Sequence, residues 1–260
     1  MDLEKIINKL AINRGDKLLV SSNITKLIIN FKKKNTVFDP NLLIDLLKDK
    51  VGKNGTLLFP TFNWDFCNGK TFDYYKTPSR TGSLSNIALK RKDFIRSVSP
   101  IYSFVVTGKD KEKICNLKHS NCYGFESPFG YLIKNKGKNL FIDLNYRVYS
   151  GMNFGGFTFH HVAEQYAKVK YRYFKKFTGH YINKKKVQKK ITVKYFVRDL
   201  NLKYSVYMHK KLDNEFLKKK ILIKNVFDDV KFDLIDISKA FRILTNDLKS
   251  KRKFFFKSAQ

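Results

Sequence analysis

Apolar positions in residues 2–12 recur at helical spacing, with Leu3, Ile6, Ile7 and Leu10 on one face, which predicts an amphipathic helix. Gly15-Asp16 marks a turn, and KLLVSS (17–22) reads as a short buried strand. Asp39-Pro40 opens a second helix, with Pro40 at its first position and Leu42, Leu43, Leu46 and Leu47 as its stripe. Lys53-Asn54-Gly55 then turns the chain into the strand TLLFP (56–60). Residues 61–81 hold no period and contain the sole tryptophan, Trp64. So long an irregular stretch in a compact domain predicts a working loop.

Helices are predicted over 82–92 and 109–116 and from Ser127-Pro128 onward, with strands over 102–108 and 139–144. Residues 145–157, carrying Gly151, Gly155 and Gly156, lead into a helix beginning near Thr158. Beyond Tyr171 the alternation over 171–197 predicts an antiparallel hairpin. A helix over 211–222, strands over 222–227 and 230–235 and a final helix over 236–250 complete the pattern. The fold class is α/β: a central mixed sheet flanked by helices, with an antiparallel β-rich C-terminal portion. No repeat or linker divides the chain, so residues 1–260 are expected to form one domain, a core over 1–170 with 171–260 packed on it.

Charge changes the picture of partners. The chain carries 53 Lys plus Arg against 22 Asp plus Glu, a net charge of +31. The short lysine runs 32–34, 184–186 and 218–220 lie far apart, with no nucleic-acid-binding signature between them. An anionic small-molecule ligand on a chain enriched in lysine is therefore favoured over nucleic acid. Hydrophobic content of 43% excludes a disordered basic tail. The opening residues lack the apolar region of a secretory signal, and no window reaches the length of a membrane span, so a cytoplasmic protein is expected. Cys67, Cys115 and Cys122 form no CxxC pair, which argues against a zinc cluster or a disulfide framework.

Among five histidines, His160 and His161 lie beside an acid in a clear context, FTFHHVAE (157–164). His161 and Glu164, three apart, share a helix face. A carboxylate there can fix the imidazole tautomer and raise its basicity, as a general base near neutral pH requires. Spacing alone is served as well by a packed histidine with Glu164 as a solvated charge, the commoner arrangement. A metal site is a third reading, but the step supplies two ligands and names no third. The trio Cys115, His119 and Cys122 reads as surface thiols beside a histidine, without the helix start that would activate one. Hydroxyls recur at strand ends, at Ser21, Ser22, Thr61 and Ser103, where open α/β sheets gather ligands.

Taken in order, GDKLLVSSNI (15–24), LLIDLLKDKVGKNGTLLFPTFNWDF (42–66), FDYYKTPSRTGSLSNIALKRK (72–92), SPIYSFVVTGK (99–109), ESPFGYLIKNKGKNLFIDL (126–144) and FTFHHVAEQYAKVKYRY (157–173) resemble the aminoglycoside 3-N-acetyltransferase family. The resemblance implies acetyl-coenzyme A as co-substrate and transfer of its acetyl group to an amine on a sugar ring. The family's H-x-A-E signature falls on His161, Ala163 and Glu164, implying His161 as general base and Glu164 as the carboxylate that orients it. Ser21, Ser22, Tyr102 and Ser103 match segments that look like lining for the acetyl-coenzyme A arm. Trp64, Asp65, Asp73 and His160 are the candidate substrate contacts, and no metal is implied. Antibiotic-modifying members often carry histidine at the positions of Ser21 and Ser99, and several place an acid where this chain has only Asn153 between Ser150 and Phe159. The spelling resembles the subgroup found with surface-polysaccharide genes, which implies an amino sugar linked to a nucleotide. A non-catalytic binding protein for RNA or another polyanion is the second expectation, and an aminoglycoside-resistance enzyme the third.

Overall fold

The protein is described from a computed structural model, which covers residues 2–147, 158–202, 205–250 and 255–259. The glycine-bearing part of the 145–157 segment, with Ser150 and Asn153, lies outside the described residues.

The chain runs α1 (Leu3–Lys9), β1 (Lys17–Ser22), α2 (Thr25–Lys33), α3 (Pro40–Val51), β2 (Thr56–Pro60), β3 (Phe72–Asp73), α4 (Ser83–Lys90), β4 (Ile95–Arg96), β5 (Phe104–Gly108), α5 (Lys111–Cys115) and α6 (Pro128–Lys134). It continues with β6 (Lys138–Ile142), α7 (Phe159–Tyr166), β7 (Arg172–Ile182), β8 (Gln188–Arg198), β9 (Ser205–Met208), α8 (Lys211–Lys218), β10 (Leu222–Phe227), β11 (Val230–Asp236), α9 (Ile237–Lys249) and β12 (Phe256–Ala259). The ends follow local chemistry. Asp39 caps α3 by accepting from the Asn41 backbone with Pro40 behind it, and Asp236 caps α9 by accepting from Lys239.

A seven-stranded sheet in the order β10-β11-β6-β1-β2-β5-β4 forms the centre. The inner trio β6-β1-β2 is parallel, and antiparallel strands flank it on both sides. The pleat sends alternate residues to opposite faces. Leu18, Val20, Leu57, Phe59, Leu140 and Ile142 point to one face, where they pack under α1 to α4. Leu19, Leu58, Phe104, Val106 and Phe141 point to the other, beneath α5, α6, α7, α9 and the β7–β8 hairpin. The strands expected near the C-terminus divide: β10 and β11 extend this central sheet, while β7 and β8 pair antiparallel in a second sheet with β3.

Helix α2 and strands β3, β4, β9 and β12 escaped the pattern. Helix α2 buries Leu27 and Phe31 but exposes Ile28 and Ile29, so an apolar run blurs its period. The two-residue β4 is too short to show alternation. The strand expected from Tyr102 begins at Phe104, which leaves Tyr102 and Ser103 in the connection before it.

The irregular 61–81 segment is firmly attached. Arg96, 2% exposed, donates from Nη1 to the carbonyls of Thr77 (2.6 Å) and Tyr74 (3.3 Å) and from Nη2 to that of Thr61 (3.3 Å). Its guanidinium also lies 4.6 Å over the Phe72 ring. At Gly179 in β7 a Cβ would sit 2.9 Å from the Phe66 ring, so glycine lets the loop lie directly on the hairpin. Among the described residues no helix is long and apolar enough to cross a membrane.

Candidate active site

A cleft of about 1010 Å³ opens at the carboxyl ends of β1 and β2, between the 61–81 loop, α7 and the hairpin. Ser21 and Ser22 end β1 there, Pro60 ends β2, and the starts of α2 (Thr25) and α4 (Gly82 and Ser83) border the same space. Trp64, Asp65, Tyr102, His160 and His161 also line it.

The pair expected on α7 is formed. His161 Nδ1 lies 2.8 Å from Glu164 Oε2, and Glu164 is 2% exposed. Tyr171 donates its hydroxyl to Glu164 Oε1 at 2.9 Å. The His160 ring lies against that of His161, with centroids 3.6 Å apart, and Tyr123 stacks on the same imidazole at 6.0 Å.

The environment differs from the expected simple dyad. Arg172, the first residue of β7, donates from Nη2 to His161 Nδ1 at 2.7 Å. Its Nε lies 2.7 Å from Glu164 Oε2, close enough for an ion pair but not aligned for a hydrogen bond. Glu164 does raise the basicity of His161, as expected, but the expected base poised near neutral pH does not result. Burial, then the Arg172 charge and His160, push the imidazole down to about 3, outweighing Glu164. Burial alone would raise Glu164, but Arg172 and His161 together hold it at about 2. His161 is neutral and Glu164 ionised at neutral pH.

His160 is the third potential ligand that spacing did not name: one donor atom each from His160, His161 and Glu164 fall within 4.8 Å of one another. Arg172 already sits against Nδ1 and Oε2, so a divalent cation entering there would meet a fixed positive charge.

The remaining expected residues divide. Ser21 reaches Asn139 Oδ1 at 3.3 Å and borders the cleft with Ser22. Tyr102 contributes its ring, because its hydroxyl is held by those of Tyr123 (2.7 Å) and Tyr195 (2.8 Å) and by Trp64 Nε1 (3.3 Å). Ser103 is not among the cleft residues. It is fully buried, with its Oγ 3.0 Å from Arg96 Nε and donating to the Thr61 carbonyl at 2.8 Å. Asp73 is not in the cleft either; it accepts from the backbone of Tyr75 (2.8 Å) and Lys76 (3.0 Å), closing a turn. Asp65 does line the cleft, paired with Arg80 at 3.0 Å and Lys70 at 3.5 Å, and the Arg80 hydrogen bond holds its carboxyl below the usual range. Ser99, 4% exposed, accepts from the Tyr102 backbone.

Cys115 and Cys122 are buried, not surface thiols, and burial raises both, Cys115 to about 12. Neither has the depressed pKa of a nucleophile.

Sequence reasoning missed Arg80, Arg172, Tyr195 and Arg198, all cleft residues. Arg172 stood eight residues beyond Glu164 with no periodic signal joining the two, because a helix end and a strand start lie between them. Asp65 is the only acid among the described lining residues, against the arginines at 80, 172 and 198.

A family model described as aminoglycoside 3-N-acetyltransferase matches residues 32–249. No curated protein sequence matches the chain. Among solved structures, aminoglycoside acetyltransferase AAC(3)-Xa is 16% identical, covering 95% of this chain and 91% of that one with a TM-score of 0.73. AAC-IIIb in a binary complex with CoASH is 18% identical over 95% of this chain and 94% of that one, also at 0.73. The YokD protein from Bacillus subtilis is 18% identical over 94% and 96%, with a TM-score of 0.71. At such identities the likeness concerns the fold, a mixed sheet between helices with an added antiparallel sheet.

Proposed function

The chain belongs to the aminoglycoside 3-N-acetyltransferase family, coenzyme A-dependent enzymes that acetylate an amine, and from that premise we propose that it acetylates an amino sugar linked to a nucleotide rather than a polycationic antibiotic. The observation that carries this reading is the charge of the cleft. Three arginines line it, Arg80 paired with Asp65 and Arg172 with Glu164, and its one acid among the described lining residues is already bound by Arg80 and Lys70. An aminoglycoside, with several ammonium groups, would find no free carboxylate there, whereas a pyrophosphate would be attracted. The similar solved structures include enzymes captured with sisomicin, apramycin and a gentamicin. Trp64, 36% exposed, offers an aromatic face to a sugar or base.

The cleft also suits acetyl-coenzyme A. Hydroxyls of Ser22, Thr25 and Ser83 border it beside the arginines, giving donors for phosphate and pantetheine oxygens, while those of Ser21 and Thr81 already donate to Asn139 Oδ1 and the Pro60 carbonyl. In the reaction the sugar amine attacks the thioester carbonyl carbon. A C–N bond forms, the C–S bond breaks, and the thiolate leaves as coenzyme A. His161 takes the amine proton and Glu164 steadies the imidazolium formed. Transfer is direct, because neither buried cysteine is activated and no covalent acyl-enzyme is needed.

The test is acetyl transfer from acetyl-coenzyme A to uridine diphosphate-linked amino sugars and, in parallel, to gentamicin. A kcat/KM at least ~100-fold higher for a nucleotide-linked sugar supports the reading, an amount equal to about 2.7 kcal/mol of transition-state discrimination. Preferential turnover of gentamicin overturns it.

A further inference from the structure

One atom in the site has two claimants. His161 Nδ1 lies 2.7 Å from Arg172 Nη2 and 2.8 Å from Glu164 Oε2. A guanidinium only donates, so contact with Arg172 requires a bare, accepting Nδ1. A carboxylate only accepts, so contact with Glu164 requires Nδ1–H. One neutral imidazole cannot satisfy both.

The consequence falls on the other ring nitrogen. If Nδ1 accepts from Arg172, the single proton sits on Nε2, which is then a donor and cannot take a proton from an amine. If Nδ1–H donates to Glu164, Nε2 carries the lone pair of a base. The described protein offers Nε2 no hydrogen bond, so nothing else fixes the choice. We propose that Arg172 is a positioning and specificity residue that holds His161 in its non-basic tautomer until a phosphate-bearing ligand in the cleft draws the guanidinium away and lets Glu164 take Nδ1–H.

Three features favour this arrangement. Arg172 lines the cleft, so an entering anion can reach it. It stands on β7, whereas its two partners stand on α7, so the contact joins two separate elements. Among the described residues its guanidinium makes polar contact with the Phe196 carbonyl at 3.2 Å, with His161 and with Glu164. The titratable and charged groups facing His161 are Glu164 and His160 from α7, Arg172 from β7 and the Tyr123 ring from the segment before α6. Of these only Arg172 is a fixed cation that a ligand can attract. The device explains how a basic cleft would favour phosphate-linked amino sugars beyond binding them: the anion also prepares the base. It rests on the reading of His161 as that base.

The experiment is ¹⁵N NMR of the histidine side chains, with His161 assigned by its loss in His161→Gln. The ligand-free protein is expected to show Nε2–H at His161 and to convert to Nδ1–H on saturation with coenzyme A or with uridine diphosphate, added separately. Conversion with one and not the other identifies which phosphate group acts, and either supports the proposal. Nδ1–H in the ligand-free protein, or Nε2–H retained with both ligands, overturns it. These readings need no turnover, so they stand apart from the acetyl-transfer assay; absence of transfer to any amino sugar would sink the reading of the reaction instead.

Arg172→Met adds a second readout. Removing the cation is expected to fix Nδ1–H without ligand and to shift the acid limb of the pH–rate profile upward by about one unit or more. It is also expected to raise kcat for free glucosamine while raising KM for the nucleotide-linked sugar. A residue that only binds phosphate would change the second and leave kcat for glucosamine and the acid limb where they were, and that pattern counts against the proposal. Arg172→Lys keeps the charge and should restore most of the wild-type pH profile. Should Arg172→Met fail to fold, the wild-type titration still decides.

Discussion

The two faces of the central sheet use the same strands for different work. On the helix-covered back face, Leu18, Val20, Leu57 and Phe59 are sealed beneath α1 to α4, almost without polar interruption. On the front face the same strands begin alike, with Leu19 and Leu58 buried, but their carboxyl ends open into the cleft at Ser21 and Pro60. The back is a continuous apolar layer whose value is area removed from water. The front encloses ions: Arg96 against backbone carbonyls, and Arg172 against Glu164 and His161. These two arginines also differ. Arg96 has no carboxylate partner among the described residues and is pushed down to about 10 by burial, still cationic at neutral pH, while Arg172 has Glu164 and is raised. One fastens a loop and the other meets the candidate base, so stability and chemistry share a face without sharing residues.

That contrast predicts a separation of effects. The largest is expected behind the sheet: Phe59→Ala should cost about 3–5 kcal/mol, through lost transfer energy and a cavity, while turnover per folded molecule is kept. Chemical denaturation with a parallel rate measurement checks it, and a variant equally stable but inactive would break the division. Next, His161→Ala should lower turnover at least ~100-fold with little change in melting temperature. Near-wild-type turnover would remove His161 from the reaction.

A smaller effect concerns pH. His161 sits at about 3 in the fold against 6.5 ordinarily, so between those values the unfolded chain binds more protons. Stability from this group is complete above 6.5 and is lost as pH falls toward 3; Glu164, at about 2 against 4.5, adds loss in the same direction at lower pH. His161→Gln should shrink the stability difference between pH 7 and pH 4 by about 1–3 kcal/mol. An unchanged difference in denaturation midpoint would show that the imidazole is not held neutral by the fold. Smallest is Ser21→Ala, whose hydroxyl makes one long, part-exposed hydrogen bond. It should change stability by less than ~0.5 kcal/mol, in contrast with the sealed Val20 beside it.

Much of this was legible from the chain. Strands β1 and β2 have the bounds that KLLVSS and TLLFP predict, and α3 starts where Asp39-Pro40 indicates, because caps, turns and burial within one element are local events. The His161–Glu164 approach was legible for the same reason: three residues on one helix bring side chains together whatever the rest of the fold does. Helix α2 was obscured because its Ile28 and Ile29 are apolar yet exposed.

What the sequence by itself determined, then, is the succession of elements, the alternation of the strands and the spacing of the histidine and its acid. Only the tertiary structure decided what surrounds that pair. The hairpin carries Arg172 onto Nδ1 and Tyr195 onto Tyr102, and packing of the 61–81 loop turns Ser103 toward Arg96 and leaves Asp73 in a turn. The reason is physical: a pKa and a tautomer depend on every charge and donor within a few ångströms. Those neighbours come from strands and loops remote in the chain, whose meeting no periodicity records.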